Sequence, residues 1–159
     1  MTRCFWMRTT VAAALIAGVA AAVMAPRTLR AATTPPPKAA VLYALPNGSE
    51  ETPANNSPAT AFGRLVLTAD RKQLLYEVHV SGLSGDPTAM HLHMAPRGQS
   101  GNILIGLDTP TNGQAVGCVS GLKSTDVAAL LDPNQVLYLN IHTKNFGNGE
   151  IRGQVVPAP

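Results

Sequence analysis

Three histidines have the residue type and spacing that could hold a metal ion. His91 and His93 are separated by a single leucine. Successive side chains of a β-strand point to opposite faces, so both imidazoles would lie on the same face of a strand. In the segment 136–143, His142 would share a face with Tyr138 and Asn140 by the same rule. Because imidazole is a good ligand for copper and zinc, the pattern predicts a copper or zinc site of His91, His93 and His142 if the two segments meet.

Other residues of these segments are weaker candidates. His79 would lie opposite the apolar face of its own strand, and we keep it as a weaker fourth ligand. Met90 and Met94 would face away from the imidazoles, so we expect them in the core or at its rim. Two alternatives to a metal site stay open. The histidines could hydrogen-bond across strands and to Glu77, Glu150 or backbone groups, or they could serve as a general acid and base.

The remaining charged residues favour structural roles. Glu150 and Arg152 alternate with an isoleucine and would share one face of the last strand. This spacing favours an ion pair, or a clamp from arginine to backbone carbonyls, over an anion site. Adjacent residues of an extended chain point apart, so Glu50 and Glu51 are predicted to lie in a solvated loop rather than to form a catalytic pair.

Motifs of the common enzyme classes are missing from the chain. It contains no nucleophile elbow, no phosphate-binding loop and no Cys-x-x-Cys pair. Each of these motifs places a reactive or phosphate-binding group by a fixed spacing, so the sequence does not support an ordinary hydrolase or a nucleotide-dependent enzyme. We therefore assign no catalytic residue and expect a binding protein rather than an enzyme.

The basic charge of the chain is confined to its N-terminal part. The 159 residues carry a formal net charge of +3, from 12 Lys and Arg and 9 Asp and Glu. Five of the basic residues precede residue 39, so the seven that remain face all nine acidic residues and give the rest of the chain a charge of −2. The charge therefore gives no reason to expect nucleic-acid binding.

Residues 1–25 have the layout of a secretory signal peptide. Residues 1–10 carry two arginines and no acidic residue, and 11–23 is an uninterrupted run of apolar and small residues. This run is shorter than the roughly 20 residues that a membrane-spanning helix needs. We predict export to the periplasm or the cell exterior, with no membrane span in the mature chain; an uncleaved anchor is the alternative. Cleavage after Ala22, after Ala25 or near residues 31–32 fits the sequence.

Removal of the leader would also change the number of cysteines. The chain has two, and Cys4 lies in the predicted leader, so Cys118 would be the only cysteine of the exported chain. We expect Cys118 to be a buried, unreactive thiol; an intermolecular crosslink and a soft metal ligand are the alternatives. The exported chain is expected to be a monomer unless Cys118 crosslinks two copies.

Three regions follow the leader: a Pro-rich linker at 26–38, a single domain at 39–156 and a tail at 157–159. Proline lacks an N–H donor and fixes φ, so the linker cannot pair in a sheet. Residues 108–117 are predicted to be a loop, and Ser124–Leu131 the one helix, with Ser124 capping its N-terminus. Short apolar or alternating runs between turn residues predict strands at 39–45, 61–68, 74–80, 90–94, 102–107, 136–143 and 150–156.

This succession of elements predicts the fold class. Gly 14 and Pro 13, with aromatic residues at only 4%, indicate many turns and a small core. About seven or eight short strands at this spacing are typical of an all-β fold, either an antiparallel β-sandwich or a Greek-key barrel, with one short connecting helix.

The order of the motifs resembles the CHRD domain, a module named after chordin that also occurs singly in exported bacterial proteins. The resemblance covers nearly all of residues 39–156 and implies an extracytoplasmic β-rich domain. One departure, at residues 146–148, concerns only a turn in which the family often has a proline. The matching segments are Leu45 with Glu51-Thr52-Pro53, residues 63–68, residues 75–83, residues 91–93 with Gly98 and Gly101, residues 138–143 and residues 149–155.

The His-x-His pair with a distant third histidine also resembles the copper ligands of Cu/Zn superoxide dismutases, which are β-sandwiches. Those enzymes need further His and Asp ligands for zinc and also a disulfide. This chain has only four histidines, and it would keep only one cysteine after export, so a dismutase site is not expected. We therefore expect an exported, non-enzymatic CHRD-type binding module that recognises an unidentified protein or cell-surface component. A copper or zinc binding protein is the alternative, and a metal-dependent oxidoreductase ranks last.

Overall fold

Short antiparallel strands are the main secondary structure of the domain. The computed structural model describes residues 2–3, 37–134 and 136–159. This part of the chain contains one α-helix, α1 (Ser124–Leu131), and one 3₁₀ turn, Gly48–Glu50. The strands in this part of the chain are β1 (Thr2–Arg3), β2 (Ala40–Ala44), β3 (Thr60–Leu67), β4 (Gln73–Ser81), β5 (Pro87–Met94), β6 (Asn102–Leu107), β7 (Gln114–Ser120), β8 (Leu137–Thr143), β9 (Ile151–Gln154) and β10 (Val156–Pro157).

The strands form two sheets. The six-stranded sheet has the order β1-β7-β4-β3-β2-β10, and the four-stranded sheet has the order β6-β5-β8-β9. All the pairings are antiparallel. Eight of the strands have at least four residues, so the prediction of an all-β sandwich of seven or eight short strands with one helix is confirmed. Within the described part of the chain, none of the helices has the length and apolar character needed to span a membrane.

The core is built by alternation along the strands. In β8 the apolar residues Leu137, Leu139 and Ile141 are buried in the hydrophobic cluster between the sheets. Their neighbours along the strand must then point to the opposite face of the four-stranded sheet. Met90, Leu92, Ile105 and Ile151 continue the same core on neighbouring strands, and Leu65, Leu67, Leu74 and Val78 face them from the six-stranded sheet.

The loop predicted at residues 108–117 is shorter than expected, because β7 begins at Gln114. Asn112 and Gly113 both have positive φ and make a tight turn into this strand. Gly117, which suggested a loop, lies inside β7 opposite Tyr76. The Tyr76 ring occupies the space that a β-carbon at residue 117 would need. The glycine therefore serves close packing in a strand rather than a turn.

The helix prediction is confirmed, with a different N-terminal cap. α1 spans Ser124–Leu131, as predicted, but its N-cap residue is Lys123. The Asp126 carboxylate accepts a hydrogen bond of 3.1 Å from the backbone N–H of Lys123. The first turn is therefore closed by an acidic side chain inside the helix, and Ser124 is its first residue.

The predicted signal peptide and most of the linker lie outside the described residues. Thr2 and Arg3 are the exception, and they pair with Ser120 and Val119 at the edge of the six-stranded sheet. Cys118 is disulfide-bonded, and the described part of the chain contains no free cysteine. The expectation of a lone, buried thiol at Cys118 concerns the chain without its leader, and it stays a prediction.

Candidate metal centre

The outer face of the four-stranded sheet brings the three predicted histidines together. β5 and β8 are neighbours in this sheet, and their register places His91 opposite Asn140 and His93 opposite Tyr138. His142 pairs with the residue two positions before His91. Since alternate residues of both strands point away from the core, the imidazoles converge on one polar face.

The distances among the three rings suit a shared ligand. One ring nitrogen from each of His91, His93 and His142 lies within 4.8 Å of the other two. Their ring centroids are 5.4 Å apart for His91 and His93, 5.3 Å for His91 and His142, and 6.2 Å for His93 and His142. The ligand nitrogens of one tetrahedral zinc ion each lie about 2.0–2.1 Å from the metal and are therefore less than 4.8 Å apart, so nitrogens at that limit would have to move closer together on binding.

Backbone carbonyls orient two of the rings. Nδ1 of His93 lies 2.9 Å from the carbonyl oxygen of Gly101, and Nδ1 of His142 lies 3.0 Å from that of Gly147. A carbonyl can only accept a hydrogen bond, so each Nδ1 carries the proton and the Nε2 of a neutral ring keeps its lone pair. This hydrogen bond behind the ring is the arrangement by which proteins commonly fix metal-binding histidines.

Three buried ring nitrogens remain without hydrogen-bond partners among the described residues. They are Nδ1 of His91, Nε2 of His93 and Nε2 of His142, one from each histidine. A buried polar atom without a partner is costly, of the order of 1–3 kcal/mol each, and calls for a physical explanation. A metal ion bound between the rings would supply that partner, so the residues fit a copper or zinc ion.

The surroundings keep two of these imidazoles neutral. Burial lowers the pKa of His91, and the neighbouring His142 and His93 lower it further. Burial also lowers the pKa of His93, an effect that its hydrogen bond to Gly101 opposes and the charges of His142 and Arg152 reinforce. Neutral imidazole is the form that binds metals, so protons compete less for these two nitrogens than for exposed histidines.

An aromatic and a cationic side chain form a stack with the His93 ring. The Tyr138 ring stacks on the His93 ring, with centroids 4.8 Å apart and planes inclined by 7°. The guanidinium carbon of Arg152 lies 3.6 Å from the centroid of the Tyr138 ring. The three groups form a continuous stack, in which the Tyr138 hydroxyl also accepts a hydrogen bond of 3.2 Å from the N–H of Gly101.

Arg152 is a buried clamp on the loop that follows β5. It is 1% exposed, and its guanidinium donates to the carbonyl oxygens of Gln99, at 2.7 Å, and Pro96, at 2.8 Å. The sequence analysis predicted an ion pair or a clamp to carbonyls, and the structure has the clamp. Glu150 instead accepts hydrogen bonds from Thr143 and Ser57. Burial alone would raise the pKa of Glu150, but these hydrogen bonds lower it on balance.

Glu51 is a site residue that the sequence analysis missed. It was predicted to lie in a solvated loop, but it is 9% exposed and accepts a hydrogen bond of 2.9 Å from Nδ2 of Asn140. Burial raises its pKa to about 7, against the opposing effects of Asn140 and the charge of Arg152. Its neighbour Glu50 pairs with Arg97. The one available signal was the place of Glu51 in the Glu-Thr-Pro motif shared with the CHRD family.

Gly149 explains how Glu51 can pack so closely on the sheet. Its φ is +128°, and a β-carbon there would lie 2.7 Å from Oε1 of Glu51 and 2.8 Å from Oδ1 of Asn140. Only glycine accepts both the backbone conformation and the contact. The turn between β8 and β9 is thus shaped to leave room for the Glu51–Asn140 hydrogen bond.

A cavity of about 300 Å³ lies beside the histidines. Its walls come from β5, β8, β9 and the loops that cover the sheet, and the residues that line it are mostly polar. They are Glu51, Thr52, His93, Ser100, Gly101, Tyr138, Asn140, His142, Asn148 and Arg152.

The weaker ligand candidate is not part of this site. His79 belongs to β4 in the other sheet, where its Nε2 lies 2.9 Å from Oε1 of Glu77 and its side chain is 52% exposed. His79 is therefore corrected from a fourth ligand to a surface residue, because its strand pairs in the opposite sheet. Met90 lies in the core and Met94 is exposed, as expected for residues of the core and its rim.

Fold and site together define a β-sandwich domain with a polar, histidine-bearing sheet face. Comparison with known families agrees with this class: the model of the CHRD domain matches residues 42–155. The chain therefore belongs to the CHRD domain family. No solved structure matches it.

Glu51→Gln should change how stability depends on pH. The raised pKa means that the folded state binds a proton at Glu51 between about pH 4.5 and about pH 7, where the unfolded chain does not. The stabilisation by this carboxyl is thus complete below about 4.5 and is lost as the pH rises through about 7. Glutamine mimics the protonated form, so the free energy of unfolding of the native protein relative to the variant should fall by about 1–3 kcal/mol across this range.

Urea unfolding of both proteins in the presence of a chelator, from pH 4.5 to 8, measures this difference. The lowered pKa values of His91 and His93 act with the opposite sign, since their contribution is lost as the pH falls. They are common to both proteins and cancel in the comparison. Glu77→Gln, on the exposed face of the other sheet, is the matched control. Parallel pH profiles for the native protein and Glu51→Gln would show that Glu51 is not a buried acid.

Proposed function

We propose that this protein is an exported, non-enzymatic metal-binding module that holds one copper or zinc ion through His91, His93 and His142. Two observations support this most directly: one ring nitrogen from each histidine lies within 4.8 Å of the other two, and each ring has one buried nitrogen without a hydrogen-bond partner in the part of the chain that the structure describes. Imidazole suits both metals, and a set without carboxylate or thiolate does not by itself choose between them. Export rests on the leader-like residues 1–25.

The chain's own residues perform three tasks in such a site. His91, His93 and His142 would hold the ion and the carbonyls of Gly101 and Gly147 would fix the orientation of two rings. Arg152 holds the loop that contains Gly101 through hydrogen bonds to its carbonyls. Tyr138 stacks on the His93 ring and accepts a hydrogen bond from the N–H of Gly101. The site is thus formed by rigid strands and loops tied to them, so little ordering would remain to be done when the ion binds.

His93→Ala should lose tight metal binding, and His79→Ala should not. The native protein should bind one copper(II) or zinc ion per chain, and should unfold at a higher temperature when loaded because only the folded state offers the site. Loss of a group that only hydrogen-bonds to a metal ligand typically weakens metal binding roughly 10- to 100-fold. Removal of one of the three ligands themselves should weaken it by more.

The measurement is copper and zinc titration of chelator-treated protein, with the bound metal quantified after desalting. His79→Ala is the matched control because it removes an imidazole from the other sheet. Electron paramagnetic resonance of the copper(II) form should show nitrogen hyperfine coupling that His93→Ala changes and His79→Ala leaves as it is. No stoichiometric binding, or equal binding by both variants, would remove this function.

A second candidate function is the recognition of a protein partner through the outer face of the six-stranded sheet. Leu45, Phe62 and Val156 are 67%, 44% and 52% exposed, and with Tyr43 they line one cavity of about 410 Å³. The Tyr43 and Phe62 rings lie 5.8 Å apart. Adjacent exposed aromatic and aliphatic side chains are a common feature of interaction surfaces.

Site-specific photo-crosslinking in the producing cells tests this surface. A crosslinking residue at Phe62 should give one discrete adduct that Leu45→Asp abolishes, because a charge among these exposed apolar side chains would oppose docking. The same crosslinker at Lys72, in the exposed turn between β3 and β4, should give none. Identical adducts from both positions, or none from Phe62, would argue against a partner at this face.

A further inference from the structure

The proposed metal site has an open coordination position. In the described part of the chain, only three His, Cys, Asp or Glu residues come close enough to share one ion, and all three are histidines. Zinc in proteins is usually four-coordinate, and a site with three protein ligands leaves the fourth position to water or another small molecule. Copper(II) accepts four or more ligands as well. A ligand from outside the chain would complete such a site.

The polar cavity beside the histidines is large enough for more than a water molecule. His93 and His142 both line it, and its volume is about 300 Å³. A water molecule takes up about 30 Å³ in the liquid. A molecule of several non-hydrogen atoms therefore fits in the cavity next to His93 and His142.

Charge favours an anion in this cavity. A divalent ion between neutral imidazoles would add two positive charges to that of Arg152, and Glu51 is the one acidic residue that lines the cavity among those described. The guanidinium itself is committed to the loop, since it donates to the carbonyls of Gln99 and Pro96 and to the side chains of Thr52 and Gln154. The metal ion is therefore the group that would hold the anion.

Asn140, which lines the cavity, has a hydrogen-bond acceptor without a donor in the described part of the chain. Asn140 is 3% exposed, and its Nδ2 donates to Glu51. Its Oδ1 is buried and has no hydrogen-bond partner among the described residues. An anion without a donor would leave this oxygen unsatisfied, which is unfavourable in a buried position.

We propose that the open position takes a small carboxylate that carries a hydrogen-bond donor next to it, the class of the α-hydroxy acids. The carboxylate replaces the water on the ion, and the hydroxyl donates to Oδ1 of Asn140. This inference rests on the metal site proposed above. It assigns to the module a small organic acid as second ligand, which the protein binds only when it holds its metal.

The test uses the copper-loaded protein and two probes that differ in one donor. Glycolate carries the hydroxyl, and methoxyacetate keeps the carboxylate and the ether oxygen but has no hydrogen to donate. Each is titrated while the visible absorption of copper(II) is followed, and metal retention is checked after desalting. Because loss of one hydrogen bond to a buried acceptor weakens binding by at least about fivefold, glycolate should bind at least that much more tightly than methoxyacetate.

Asn140→Ala should abolish this preference while copper still binds, and Asn134→Ala, in the exposed turn after α1, should keep it. Equal affinity for both probes, or a copper spectrum that neither probe changes, overturns the second ligand and leaves the metal site standing. Failure of the native protein to load copper overturns both. If Asn140→Ala does not fold, the comparison of the two probes on the native protein still decides the question.

Discussion

The pairing of β5 with β8 is the constraint on which the rest of this structure depends. Each strand carries leucine, isoleucine or methionine at alternate positions, and burial of those side chains between the sheets is the main source of stability. The pleat then forces the residues in between onto the outer face. The register places His91 opposite Asn140 and His93 opposite Tyr138. The strand pairing that packs the core therefore also brings the histidines together.

A polar sheet face would ordinarily be solvated, and here it is covered by loops tied down with hydrogen bonds. Arg152 is the central tie, because burial of a guanidinium is costly unless its donors are used, and here they are shared among two carbonyls and two side chains. The loop that Arg152 holds also presents the carbonyl of Gly101 to His93. Arg152 thus stabilises the loop that covers the site, and the same loop orients the His93 ring.

Local patterns were enough to predict the strands and the shared face of the imidazoles, but not which strands meet. Alternation in β8 predicted that Tyr138, Asn140 and His142 lie together, and the apolar positions of β5 placed His91 and His93 on one face. His79 shows the same alternation, yet its strand pairs in the other sheet. Sheet membership is decided by pairing between distant segments, which period-two patterns do not encode.

Two further features could not be predicted because they depend on close contacts in the folded chain. Glu51 has a polar neighbourhood in sequence, and only the contact with Asn140 across Gly149 makes it a buried acid. Gly117 suggested a loop, and only the Tyr76 ring against it explains a glycine within β7. In both cases a glycine marks a place where another side chain comes close to the backbone, so its role was visible only in three dimensions.

X-ray absorption spectroscopy of the copper- or zinc-loaded protein tests the central claim most directly, since it counts the ligands by element and distance. A site of three histidines predicts about three nitrogen neighbours at roughly 2.0–2.1 Å, with the outer-shell scattering of imidazole rings, and one further light atom. A sulfur neighbour at about 2.3 Å, or light atoms without the imidazole pattern, would contradict it. In that case the outer face of the four-stranded sheet would be a hydrogen-bonded polar surface, and the ion would bind elsewhere.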